Sequence, residues 1–201
     1  MALKTTVKVN QITNLHDARY CAGMGVDFIG FSIDAASVSF VSAKKYNEII
    51  SWLTGVKFVV ELPTLEKVNM AEILNDYPAD ALQTSHLQDL PALQQTGLPI
   101  IVELPIAQIN GEILAQIKPY TTFLLLTSSE KIISPEQKKL IANLAPAYKI
   151  LLGFGIDSEN INELIDELAL AGVALNPSIE IQTGINDFDE IAAVLEQIEV
   201  D

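Results

Sequence analysis

The chain has 201 residues, 49% of them hydrophobic, and a single cysteine, Cys21, so it has enough apolar sequence for a substantial core and excludes intrachain disulfides and multi-cysteine metal centres. With 12 Lys and Arg against 26 Asp and Glu, the formal charge of -14 opposes phosphate backbones and anionic lipid surfaces. The opening MALKTTVKVN lacks a leader-like apolar core and no later run approaches the roughly 20 apolar residues of a membrane span. The expectation is a cytoplasmic protein that engages neither nucleic acid nor membrane.

In chain order, short apolar runs predict strands over 7–11, 26–33, 56–62, 79–83, 98–104, 121–127, 148–154 and 172–176. Helical periodicity follows each of them, over 15–24, 43–53, 65–76, 87–95, 107–118, 134–145, 158–170 and 187–199. Starts are marked by Asn14 with Asp17, by Ser42, and by Ser134 followed by Pro135 and Glu136. In the seventh helix Ile161, Leu164, Ile165 and Leu168 make an apolar stripe, and Gly172 is the expected residue of positive φ that ends it. One strand and one helix per roughly 25 residues is close to the shortest parallel crossover. With no linker dividing the pattern, residues 1–201 read as one α/β domain, a compact (β/α)8 TIM barrel. An open doubly wound sheet is the competing fold, because periodicity reports alternation and not closure.

In such a barrel the chemistry lies at the carboxyl ends of the strands. The polar residues there are Asn10 and Gln11, Asp34, Glu61, Gln83, Glu103, Thr127 with Ser128 and Ser129, the turn holding Gly153 and Gly155, and Asn176 with Ser178. Asp34, Glu61 and Glu103 are candidate acid or base groups; a solvated rim or a cap is the competing role. Together they would repel an anion. Glu61 and Glu103 end the nearly identical VVELP and IVELP, which places them at corresponding edges. Gly153 and Gly155 suit either an anion-binding turn or a tight strand-to-helix turn. His16 and His86, near helix starts, read as capping, packing or surface residues, and Cys21, inside the first helix, as packing.

The segment VKVNQITNLHDARYCAGMGVDFIGF resembles the opening VKICGITxxEDAxxAxxxGADxxGF of the phosphoribosylanthranilate isomerase family. SVSFVS, ALQ at 81–83, FGIDSENI at 154–161 and IEIQTGINDFDEI at 179–191 extend the resemblance over nearly the whole chain. It implies a (β/α)8 barrel of tryptophan biosynthesis and an Amadori rearrangement driven by a cysteine general base and an aspartate general acid. The cysteine position holds Asn10 here, the following glycine Gln11, the aspartate position Thr127, and a substrate-binding arginine Ser39. The phosphate-binding run of the family falls on Gly153, Phe154 and Gly155, and its partner on Asn176, Pro177 and Ser178. Substrate contacts are therefore expected at Ser39, Gln83, Gly153, Gly155, Asn176 and Ser178. The expectation is a catalytically degenerate barrel that binds a phosphorylated small molecule, another small metabolite or a protein. The alternative is an active isomerase or sugar-phosphate enzyme whose acid–base chemistry has moved to Asp34, Glu61 or Glu103. No metal or cofactor is expected, and both monomer and dimer are open.

Overall fold

A computed structural model of the chain describes residues 2–65, 69–177, 180–182, 185–186 and 188–200. Eight parallel strands close into a barrel. They are β1 (Thr6–Val9), β2 (Phe28–Ser32), β3 (Lys57–Glu61), β4 (Ala81–Thr84), β5 (Ile100–Pro105), β6 (Phe123–Thr127), β7 (Ile150–Leu152) and β8 (Gly172–Leu175). Each is followed by a helix: α1 (Leu15–Gly23), α2 (Ala43–Ile50), α3 (Met70–Asp76), α4 (Leu90–Gln94), α5 (Gly111–Ile117), α6 (Pro135–Leu144), α7 (Ile161–Leu168) and α8 (Asp189–Gln197). Closure comes from β1 pairing with β2 on one side and β8 on the other, with Lys8 opposite both Phe28 and Ala174. Among the described residues no helix is long and apolar enough to cross a membrane.

The predicted caps form. Asn14 accepts from the Asp17 N–H at 2.9 Å, and Ser134 accepts from the Gln137 N–H at 3.2 Å while Gln137 returns a bond to the Ser134 N–H. Each pair satisfies backbone donors that have no partner inside the helix. The α7 stripe is buried as its spacing requires. Its end differs from expectation: Ala169 turns the chain at φ 49°, and Gly172 is the first residue of β8. Glycine is required at 172 by contact, since a Cβ there would stand 2.1 Å from the Thr6 carbonyl oxygen of the neighbouring strand.

Strand alternation divides the core in two. Outward-facing residues such as Val7, Ile29, Val60 and Leu82 pack beneath the helices. Phe28, Val59, Ala81, Ile101, Leu125, Leu151 and Ala174 fill the barrel interior. Because side chains repeat every second residue, the next inward positions are Gly30, Glu61, Gln83, Glu103, Thr127, Gly153 and Asn176. A polar layer thus lies directly above an apolar floor, toward the carboxyl ends of the strands. Two short antiparallel ribbons complete the fold. One joins Ala2–Leu3 to Glu199–Val200 at the opposite, amino-terminal end, and the other joins Glu180–Gln182 to Ile185–Asn186 between β8 and α8.

Candidate functional site

The polar layer is organised around a lysine. Lys8 of β1 is fully buried, and its ammonium donates to Glu61 Oε1 at 2.7 Å and to Asn10 Oδ1. An isolated cation could not be held in this interior; paired and hydrogen-bonded it can. Gly30 leaves the space for the pair, since a Cβ on it would stand 1.9 Å from Glu61 Oε1 and 2.6 Å from Lys8 Nζ. Asn10 turns its other side to β8, donating from Nδ2 to Asn176 Oδ1 at 2.9 Å. Gln11 has a left-handed φ of 54°, and its N–H reaches Glu61 Oε1 at 3.3 Å.

The other half of the layer leaves one acceptor unpaired. Gln83 of β4 donates from Nε2 to Glu103 Oε2 at 2.8 Å, while its Oε1 is buried with no hydrogen-bond partner among the described residues. Burial pushes the Glu103 carboxyl above its ordinary pKa, and the neighbouring charge of Glu61 adds to this; Lys8 and the Gln83 bond offset only part. Glu103 is half-buried.

The barrel therefore brings Asn10, Glu61, Gln83, Glu103 and Asn176 into one connected neighbourhood, with Thr127 and Gly153 on the same inward layer. Ser39 joins from the loop after β2, donating to Gln11 Oε1 at 3.3 Å. Asp34 stands apart as a turn cap, its carboxylate accepting from the Ala36 N–H at 2.9 Å. Ser178 lies outside the described residues. His16 is exposed and His86 half-buried beside a short helical turn. Cys21 is buried, and burial, followed by the charge of Asp17, pushes its thiol up to about 12, where it is no nucleophile near neutral pH. Sequence reasoning gives Lys8, at a family-like position of the first strand, a role in packing or electrostatics and none in catalysis, and it misses Gly30. The available clue was Lys8 and Asn10 two residues apart on a strand whose alternate positions, Val7 and Val9, are apolar.

A cleft of about 760 Å³ opens over the ends of β6, β7 and β8. Gly153, Gly155 and Asn176 line it. Both glycines answer to local geometry. Gly155 has φ +67° and a Cβ on it would lie 2.5 Å from Ile133 Cγ1, while one on Gly153 would lie 3.0 Å from the Leu126 carbonyl oxygen. Between them Phe154 is buried in the core. The charged lining is Glu130, Asp157, Asp189 and Glu190 against Lys131. Phosphate sites at this end of (β/α)8 barrels frequently use the amino terminus of a short extra helix after the last strands. Among the described residues between β8 and α8, Glu180–Gln182 pairs with Ile185–Asn186 as a short antiparallel ribbon.

A family model described as "N-(5'phosphoribosyl)anthranilate (PRA) isomerase" matches residues 7–197. The N-(5'-phosphoribosyl)anthranilate isomerase of Aquifex aeolicus is 27% identical over 193 residues, covering 92% of this chain and 94% of its own. That of Sulfolobus acidocaldarius is 28% identical over 189 residues, covering 90% and 87%. In three dimensions the barrel superposes on the phosphoribosyl anthranilate isomerase of Thermotoga maritima with a TM-score of 0.78, covering 96% of this chain and 98% of that one at 20% identity. The last comparison speaks for the fold.

Proposed function

The chain belongs to the N-(5'-phosphoribosyl)anthranilate isomerase family, and from that membership we propose a member that has given up the Amadori rearrangement and uses the mouth of its barrel to bind a small polar metabolite. The observation that carries this reading is the state of Asn10. Its amide stands where the family resemblance puts the general base, and both of its polar atoms are committed, Oδ1 to Lys8 and Nδ2 to Asn176. A neutral amide neither takes up nor returns a proton near neutral pH. At the corresponding general-acid position Thr127 carries a hydroxyl, a poor acid over the same range. Ser39, in place of a guanidinium, gives a carboxylate no bidentate partner. The cleft over β6 to β8 has the size of a small-molecule site, which favours a metabolite over a protein partner.

A second reading rests on Glu103. A half-buried carboxyl held above its ordinary pKa beside a second carboxylate is the arrangement that divides acid from base work in other sites. The test is steady-state consumption of phosphoribosylanthranilate, followed by its fluorescence, with a blank for spontaneous decay and an active isomerase as a positive control. No turnover at any protein concentration is expected. Turnover proportional to protein would refute the reading, and its loss in Glu103→Gln would transfer the chemistry to the carboxylates.

A further inference from the structure

Asn110 is the only asparagine in the chain that is followed by glycine. An asparagine loses ammonia when the main-chain nitrogen of the next residue attacks its side-chain carbonyl carbon, and glycine, with no side chain beside that nitrogen, obstructs the attack least. Asn110 and Gly111 are both exposed, in the connection between β5, the strand that carries Glu103, and α5. Where a Cβ on Gly111 would stand there is open space. Gly111 is the first residue of α5, so its N–H has no partner within the helix.

The folded geometry withholds the reaction. Asn110 Oδ1 accepts from the Glu112 N–H and from the Ile113 N–H, each at 3.0 Å, and its Nδ2 donates to the Gln108 carbonyl oxygen at 3.2 Å. Closing a five-membered ring needs Cβ and the Gly111 nitrogen nearly eclipsed about the Asn110 Cα–C bond; with ψ at 170° they are staggered. The attack therefore requires the first turn of α5 to open. That turn is lightly held: Glu112 is exposed, Ile113 and Leu114 are half-buried, and Ile117 is the first residue of the helix to be fully covered. Segments that bury little and whose hydrogen bonds face solvent are the ones that open locally.

We propose that Asn110 is a site of spontaneous deamidation, gated by local opening of the first turn of α5. The Gly111 nitrogen gives its proton to hydroxide and attacks Asn110 Cγ. The Cγ–Nδ2 bond breaks, Nδ2 leaves as ammonia, and a succinimide remains. Water then opens the ring at either carbonyl carbon, so the net change is amide plus water to acid plus ammonia. Opening at Cγ leaves an ordinary aspartate, whose carboxylate keeps both acceptor bonds of the cap. Opening at the main-chain carbon routes the chain through Cβ and Cγ, adding a methylene to the backbone and removing the cap. The altered link then lies in the connection that follows the Glu103 strand.

The test ages the full chain at mildly alkaline pH, native and unfolded in guanidinium chloride. Peptide mapping by mass spectrometry locates each conversion of amide to acid, and an isoaspartyl methyltransferase counts the rearranged product. In the unfolded chain Asn110 is expected to convert ahead of every other asparagine. In the native chain it should convert at least about tenfold more slowly, which corresponds to an opening free energy of about 1.4 kcal/mol or more. Gly111→Ala has room for its methyl and suits a helix, so it should suppress conversion in both states with the thermal midpoint maintained or raised. Asn110→Asp should leave the midpoint where it is, while aged protein should melt lower in proportion to its isoaspartyl content. Equal rates in the native and unfolded chain would overturn the gating. Earlier conversion of another asparagine in the unfolded chain, or unchanged conversion in Gly111→Ala, would overturn the site itself.

Discussion

Replacing Lys8 with Met tests the organisation of the barrel interior. Methionine occupies much the same volume, so packing in the layer is largely kept and the perturbation is the loss of one buried cation. Glu61, whose side chain is 11% exposed, would lose the ammonium at 2.7 Å and face Glu103 with no compensating charge. Removing one partner of a buried pair costs about 3–5 kcal/mol, because the other charge is left desolvated. For a chain of this size each kcal/mol moves the thermal midpoint by about 2–4 °C, so a fall of roughly 6–20 °C is expected. Urea unfolding at neutral pH, monitored by circular dichroism, measures the free energy directly. Lys8→Met combined with Glu61→Leu removes both charges and should recover most of the loss, since a buried pair replaced by apolar residues is often close to neutral. A single-variant cost below about 1 kcal/mol would place it in the range of exposed ion pairs and refute the assignment of a desolvated interior pair.

Three further outcomes follow from the same geometry. Glu103 has a raised pKa in the folded protein, so the folded state holds this proton more tightly and stability should decline as pH rises from the ordinary carboxylate range through the raised value. Glu103→Gln should therefore be more stable than the parent at neutral pH and no more stable in acid, and parallel pH profiles in urea would contradict this. Gly172→Ala drives a methyl against the Thr6 carbonyl and should cost about 3 kcal/mol or more, measured as a fall in the urea midpoint. Gly155→Ala, at φ +67° and pressed on Ile133, should cost about 1–3 kcal/mol and reshape the cleft without unfolding the barrel, as read by thermal melting and near-ultraviolet circular dichroism.

The architecture was legible because it rests on periodicity. All eight strands and eight helices fall where alternation and helical spacing place them, and Asn14, Ser42 and Ser134 cap the helices they precede. The interior was legible only by parity. Val59 and Glu61, or Ala81 and Gln83, are two residues apart and so share a face, which was enough to bring Glu61 and Gln83 to the mouth. Which groups bond across strands was not, because that depends on the stagger of the closed barrel. Nothing in the sequence states that Lys8 of β1 spans the space over Gly30 to reach Glu61 of β3. Local backbone was also hidden at two positions. Ala169 and Gln11 adopt positive φ without being glycine, so each bend is imposed by the surrounding structure and not by residue type. At Gln11 the bend survives where the family resemblance places a glycine, and the altered residue supplies an N–H to Glu61 and an acceptor to Ser39.

The ribbon between Ala2–Leu3 and Glu199–Val200 has a practical meaning for experiments on the mouth. It ties both ends of the described chain together beneath the barrel, on the side away from Glu103 and the cleft. A tag or surface anchor attached at either end would point the open face into solution, so immobilised-protein and dye-labelled formats should report the same ligand affinity as the free molecule. Labels carried on the loops after β2 or β6 would crowd the opening instead.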